Sequence, residues 1–377
     1  MTRSITAALR RAGRANRPAK LARKVLSMHS AMAGLMMAPM AAFKQKTARP
    51  RKTGMAKAGG SLGAVLKQLQ TVQSMMPRLR RASLPSTPPP VIPKGAQYLE
   101  RTHRCAAGSR GYKLYLPASH PRRPKGLILM LHGCNQTPDD FAVGTHMNAQ
   151  AEKHGLAIAW PAQTGRQNQA HCWNWFQPAH QARGAGEPAI LAALARKLGK
   201  EFGLSRDMVF VAGLSAGGAM AAILGDVYPD VFSAAGVHSG LARGAARDVV
   251  SAMVAMRNGG AGSRAELADL AKKDRVRRIV FQGDADKTVH PSNAAAIVSA
   301  TVGDDAAPHR MAKRSVRGRG YVRSDFVGPD GAILLELWMV EGGGHAWSGG
   351  RDAGSYTDAT GPDASAQMVR FFLAQAF

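Results

Sequence analysis

The pentapeptide Gly213-Leu214-Ser215-Ala216-Gly217 places one serine among small residues. It directly follows the apolar run Met208-Val209-Phe210-Val211-Ala212 and precedes an Ala-rich stretch from Gly218 to Leu224. A strand that runs into G-x-S-x-G and on into a helix makes a sharp turn, and small residues let that turn push the serine Oγ beyond the strand's end. The next backbone N–H and the helix start aim at the same point, where an oxyanion can be stabilised. The chemistry this suits is nucleophilic attack by Ser215 on an acyl carbon. In a chain with 41 glycines the pentapeptide alone could be a mere tight turn. The strand before it and the helix after it make the signal specific.

A serine hydroxyl needs a base, and the base needs an orienting carboxylate. In α/β-hydrolases they follow in the chain order Ser, Asp or Glu, His. The apolar run Arg278–Gln282 leads into Gly283-Asp284-Ala285-Asp286, so Asp284 and Asp286 both stand on the expected loop. A later run, Leu334–Val340, leads into Glu341-Gly342-Gly343-Gly344-His345-Ala346-Trp347. His345 on that glycine-rich loop is the expected base. His132 precedes the nucleophile, His238 precedes the acid, and His290 crowds the acid's own loop.

An oxyanion hole needs two N–H donors. Ala216, after the nucleophile, supplies one, and Cys134 in Leu131-His132-Gly133-Cys134-Asn135-Gln136-Thr137 is the expected second. The segment Asn168 to Phe176 holds Trp173 and Trp175, and Trp347 adjoins His345, in a chain only 6% aromatic. These tryptophans, with Asn135, are expected to contact substrate, the competing reading being that they fill the core.

Around these residues, β and α patterns alternate after about residue 98. Tyr112–Leu116, Gly126–Leu131, Leu156–Trp160, Met208–Ala212, Ala234–His238, Arg278–Gln282 and Leu334–Val340 read as strands. Several are apolar throughout, as expected of strands buried on both faces. Glu187–Phe202, with Ile190, Leu191, Leu194 and Leu198 on one face, and Asp363–Phe377 read as helices. The fold class is therefore α/β: an α/β-hydrolase fold, mostly parallel sheet with helices on both faces.

The net charge of +27 is concentrated at the N-terminus: residues 1–99 hold 19 Lys or Arg and no acid. Residues 1–81 form a basic Met/Ala-rich arm, partly disordered or helical, with a helical apolar stripe from Leu62 to Met76. Such an arm suits an anionic or apolar surface; with Phe43 as its one aromatic, it is poorly equipped to stack on nucleic-acid bases. Residues 82–97 are Pro-rich and read as a linker, and 98–377 as the catalytic domain. No run reaches membrane-spanning length, and Ala31–Phe43 is a poor secretory signal. Three cysteines, Cys105, Cys134 and Cys172, make no disulfide scaffold and lack metal spacing. Reduced thiols are the slightly favoured state, with a Cys134–Cys172 bridge left open.

Leu-His-Gly-Cys-Asn-Gln-Thr, Cys-Trp-Asn-Trp-Phe, Gly-Leu-Ser-Ala-Gly-Gly and Gly-x-x-Asp-x-x-Val, in that order within residues 105–375, resemble the catalytic domain of poly(3-hydroxybutyrate) depolymerases. Feruloyl and acetylxylan esterases are related members. The resemblance implies a serine esterase acting through Ser215, Asp286 and His345, and it favours Asp286 over Asp284. It implies a polyester or small ester substrate and no metal or organic cofactor. Gln282 stands where the family often has histidine, a position expected to carry no chemistry. The resemblance is closest to intracellular depolymerases, which implies a cytoplasmic, granule-associated location with secretion as the alternative. The arm, which the resemblance does not cover, would then hold a polymer granule or its protein coat. Rival readings are a feruloyl or acetylxylan esterase and, less favoured, a granule-surface or nucleic-acid-binding protein.

Overall fold

The computed structural model describes residues 84, 87–262, 276–328 and 331–374. The 1–81 arm lies outside them. Ten strands form one sheet in the order β1-β2-β4-β3-β5-β6-β7-β10-β9-β8. The middle is parallel: β4 (Leu156–Pro161), β3 (Gly126–Leu131), β5 (Val209–Leu214), β6 (Ala234–His238), β7 (Arg277–Gly283) and β10 (Ile333–Val340). Antiparallel strands flank it, β1 (Gln97–Cys105) and β2 (Gly108–Leu116) on one side, β9 (Arg319–Val327) and β8 (Arg310–Val316) on the other.

Every residue of β3, β4 and β5 is buried, which is why these strands read as unbroken apolar runs. Their side chains alternate between two cores. Leu127, Leu129 and Leu131 pack with α3 (Gly186–Phe202) and α4 (Ala216–Val227) on one face. Ile128 and Met130 pack on the other with α1 (Pro138–Thr145), α2 (Met147–His154) and α7 (Ala364–Leu373). Two further helices, α5 (Val249–Asn258) and α6 (Ser292–Val302), follow β6 and β7. A mostly parallel sheet with helices on both faces is therefore present as expected.

Strands β1, β8 and β9 are not among those predicted from the sequence. All seven residues of β8 are exposed or half-buried, so no apolar run marks it. Part of the Pro-rich segment makes contacts with the domain. Thr87 Oγ1 donates to Asp140 Oδ1 at 2.8 Å, and Ile92 and Ala96 pack against the core. No helix among the described residues is long and apolar enough to cross a membrane.

Helix α7 seals one core through Phe372, fully buried and stacked on Phe210 with ring centroids 4.9 Å apart. Phe372→Ala should cost about 3–5 kcal/mol in urea unfolding; a loss below about 1 kcal/mol would show that the helix does not close that core.

Candidate active site

At the C-terminal end of β5 the chain turns so tightly that its glycines meet neighbouring backbone. A Cβ on Gly213 would lie 2.4 Å from Gly217 C, and one on Gly217 would lie 2.0 Å from Leu131 O. Between them Ser215 adopts φ 57°, ψ −119°, a conformation costing a non-glycine residue on the order of 1–3 kcal/mol. Its N–H donates to His238 O at 2.9 Å, which ties the turn to β6. The serine is 8% exposed and stands at the N-terminus of α4. Among the described residues its hydroxyl has no hydrogen-bond partner.

Asp286 and His345 come from loops after β7 and β10, which are adjacent parallel strands. Gly283 and Gly343 let the loops touch, since a Cβ on Gly283 would sit 2.2 Å from Gly343 O. Asp284 Oδ1 accepts from Gly342 N–H at 2.6 Å, and Ala285 N–H donates to Gly343 O at 3.0 Å. Stitched in this way, the loops set His345 Nδ1 2.8 Å from Asp286 Oδ2. Of the two candidate acids, Asp286 meets the histidine, while Asp284 holds the histidine loop.

Asp286 is 4% exposed, and its Oδ1 accepts from Thr288 N–H and Val289 N–H at 2.8 and 2.9 Å. Burial alone would raise its pKa. The hydrogen bond and charge of His345 and the two backbone N–H groups outweigh burial and hold the carboxyl below the ordinary range. With Nδ1–H donating to a carboxylate, Nε2 of His345 is left as the acceptor. Gln282, expected to carry no chemistry, also donates through Nε2 to Asp286 Oδ2 at 3.2 Å.

The other histidines are occupied. His132 Nε2 accepts from Gln163 N–H, and its Nδ1–H donates to Gly133 O. His238 Nε2 accepts from Ser348 N–H, and its ring stacks between Phe281 and Trp347. Burial drives His132 down to about 4 and His238 to about 3. His290 is exposed, and its Nδ1 pairs with Ser292 Oγ.

On the loop after β3, Gly133 N–H donates to Gln136 Oε1 at 2.9 Å and Asn135 N–H to Ala170 O at 2.8 Å. Cys134 N–H makes no hydrogen bond among the described residues, and Ala216, the first residue of α4, has no intrahelical acceptor for its own. Gln136 Nε2 in turn donates to the buried Asp140, which also accepts from Ser355 N–H, so the loop is fixed from behind. Asn135 itself is half-buried at φ 59°.

A disulfide joins Cys134 to Cys172, with Cα atoms 4.2 Å apart, where reduced thiols had been slightly favoured. The Asn135–Ala170 hydrogen bond brings the two loops together beside it. The tryptophans also require correction. Trp173, Trp175 and Trp347 are 0%, 5% and 1% exposed. Trp173 Nε1 donates to His132 O and Trp347 Nε1 to Ser365 Oγ, and all three rings fill the cores, the competing reading of these residues. The exposed aromatic beside His345 is Tyr356, edge-on at 6.5 Å.

A buried polar network behind this loop has no counterpart in the sequence reading. Glu187, 2% exposed, accepts from Gln163 Nε2, from Asn174 N–H at 2.8 Å and from Asn174 Nδ2 at 3.0 Å. Arg110 donates to Gln163 Oε1 at 2.6 Å and lies 3.5 Å from Glu187. Burial pushes Glu187 up, but the hydrogen bonds from His180 and Asn174 and the charges of His180 and Arg110 leave it below its ordinary value. Glu187 reads locally as an acid in a helix's first turn, and nothing nearby in the chain marks its partners.

The fold and the elbow define an α/β-hydrolase. The acetyl xylan esterase from Aspergillus awamori superposes with TM-score 0.53 at 19% identity, covering 66% of this chain and 93% of that one. The family model described as Esterase PHB depolymerase matches residues 110–314, and the chain belongs to that family. A poly(3-hydroxybutyrate) depolymerase of Ralstonia pickettii is 31% identical over 276 residues, 66% of this chain and 54% of that protein. Poly(3-hydroxyalkanoate) depolymerase C of Paucimonas lemoignei is 27% identical, covering 61% and 56%. Feruloyl esterase B of Neurospora crassa is 30% identical over 34% of this chain and 43% of its own length. The chain spans about half the length of these curated relatives.

His132 and His238 stay neutral in the fold but titrate near 6.5 when unfolded. Below that pH the unfolded chain binds more protons, so stability is full above about 6.5 and falls as pH drops toward about 4. Urea unfolding between pH 7 and 5 should show this decline, shallower by close to one proton in His238→Gln; equal slopes would remove His238 as a cause.

Proposed function

We propose that this chain is a serine esterase that hydrolyses the ester bonds of a poly(3-hydroxybutyrate)-type polyhydroxyalkanoate. The observation that carries the reading is the 2.8 Å Asp286–His345 hydrogen bond, on the same sheet edge as the Ser215 elbow. Family membership supports an ester substrate, and the names of two relatives support a polyester.

In this mechanism Ser215 Oγ attacks the ester carbonyl and its proton passes to Nε2 of His345. Asp286 holds the ring in the Nδ1–H tautomer and stabilises the imidazolium. The N–H groups of Ala216 and Cys134 receive the oxyanion, and Asn135 lies beside them for contact with the acyl chain. Collapse of the intermediate expels the alcohol, which takes the proton from His345 and leaves a 3-hydroxyacyl-serine. His345 then deprotonates a water that attacks that ester and restores Ser215. The free Ser215 hydroxyl engages His345 as substrate docks.

A second reading, feruloyl or acetylxylan ester hydrolysis, is favoured by the Neurospora relative and by the Cys134–Cys172 bridge. Disulfides persist in oxidising compartments, so the bridge weighs against a cytoplasmic location and toward export. The basic arm is assigned to granule attachment on its charge and Met/Leu stripe alone.

Amorphous poly(3-hydroxybutyrate) granules and a soluble short-chain ester test the reading together. Wild type should release 3-hydroxybutyrate; Ser215→Ala should lose on the order of 10⁴-fold or more and Asp286→Asn about 10⁴-fold. Ferulate released from a cell-wall fragment, with none released from polymer, would transfer the chain to the second reading. Removing residues 1–83 should leave soluble-ester turnover intact and reduce co-sedimentation with granules; unchanged co-sedimentation would free the arm of that role.

A further inference from the structure

A cavity of about 710 Å³ opens on the same edge of the sheet as the elbow, and the proposed mechanism does not use it. Its wall combines the start of β2 with the loop after β4: Arg110, Thr164, Arg166, Gln167, Gln169 and His171. β2 runs antiparallel to β4, so its first residues lie beside the end of β4, as the Tyr112–Pro161 pairing shows. In the order β2-β4-β3-β5 three strand spacings separate this wall from Ser215, roughly 14 Å.

The chemistry of the wall is one-sided. No Asp or Glu lines it. Arg166 is exposed and has no ion-pair partner among the described residues. Arg110 is 3% exposed, held over Trp173 at 5.5 Å, and its Nε is buried with no hydrogen-bond partner. Thr164 Oγ1 is buried and unpartnered at the same wall. Glu187 lies behind Arg110 at 3.5 Å and offsets its charge, which leaves Arg166 as the free cation of the wall among the described residues. His171 donates through Nδ1 to Gln163 O, which leaves Nε2 toward Gly165 on the cavity wall. The disulfide and the Asn135–Ala170 bond tie the end of this loop to the loop after β3.

We propose that this cavity is a carboxylate subsite that captures the free acid end of a hydroxyacid oligomer whose ester bond lies at Ser215. The inference rests on the polyester reading above. A hydroxyacid chain has one neutral hydroxyl end and one anionic end, and the unpaired charge of Arg166, on a wall lined by no acid, selects the anion. The guanidinium of Arg166 presents paired N–H donors that match a carboxylate's two oxygens. The separation from Ser215 corresponds to a short oligomer, so the cavity favours soluble fragments that end in an acid over the interior of a polymer chain.

Binding separates this proposal from the polyester reading. In full-length Ser215→Ala, calorimetry should show the linear 3-hydroxybutyrate trimer acid binding about tenfold tighter than its methyl ester, as expected for one charge-assisted hydrogen bond. Arg166→Glu added to that variant should abolish the difference while leaving methyl-ester affinity unchanged. Arg166→Glu alone should retain wild-type turnover of p-nitrophenyl acetate, which shows that the fold and the elbow persist. Equal affinity for acid and ester before the arginine is changed, or equal weakening of both after it, would overturn the subsite. A glucuronate-bearing xylo-oligosaccharide that binds in an Arg166-dependent way, with no binding of the trimer acid, would overturn its hydroxyacid source. Failure of wild type on polymer granules would instead count against the polyester reading, whatever the binding shows.

Discussion

Backbone-to-backbone contact at the elbow sets where everything else can stand. A Cβ on Gly217 would fall 2.0 Å from Leu131 O and 2.7 Å from His132 O, so α4 can begin against the end of β3 only because that position has no side chain. The contact puts the first N–H of α4 and the loop of Cys134 on either side of Ser215. It also forces Ser215 into its strained φ and ψ, and the surrounding hydrogen bonds must hold that strain. A looser turn would relieve the serine and separate the two groups that could meet an oxyanion.

Loops that carry the remaining groups are fixed by buried polar cages rather than by apolar packing. Gln136 and Asp140 hold the Cys134 loop from one side, and Gln163, Asn174 and Glu187 hold its disulfide partner from the other. Asp286 accepts from two backbone N–H groups, Gln282 and His345, which satisfies a carboxylate that burial would otherwise neutralise. Each cage draws on residues from distant parts of the chain; Gln136 and Ser355 are 219 positions apart. Removing one member leaves a buried partner unsatisfied, so the cages position the loops strictly.

That long reach explains what could be read from the sequence. The parallel strands β3, β4 and β5 were legible because burial on both faces makes them apolar throughout, and the elbow was legible because its geometry demands small residues in a fixed pattern. Strand order pointed to the loop of His345 and to a loop holding both Asp284 and Asp286; the choice of Asp286 came from the family resemblance, because which carboxylate meets the histidine depends on the fold of that loop. β1 and β8 were not legible, because edge strands half in solvent carry polar residues such as Arg101 and Lys313. The tryptophans misled for a related reason: Trp173 and Trp347 stand next to site residues in the chain, but their rings point into the core. Gln282 and Glu187 act only through partners that the chain brings close on folding.

Histidine shows how burial sorts residues that look alike in sequence. His238 lies beside His345 and Asp286 closely enough to feel both charges, yet its ring is sandwiched between Phe281 and Trp347 and is held neutral. A proton taken there would create a cation in an apolar stack, so the ring cannot accept one from a nucleophile near neutral pH. His345 differs in having a carboxylate on Nδ1, an exposed Tyr356 beside it and part of its side chain open to solvent. A base must gain and lose a proton within one turnover. Of His345 and His238, the former has a carboxylate partner for its charged form, and the latter has an apolar stack. The stacked His238, by receiving Ser348 N–H on Nε2, instead fixes the start of the segment that follows His345.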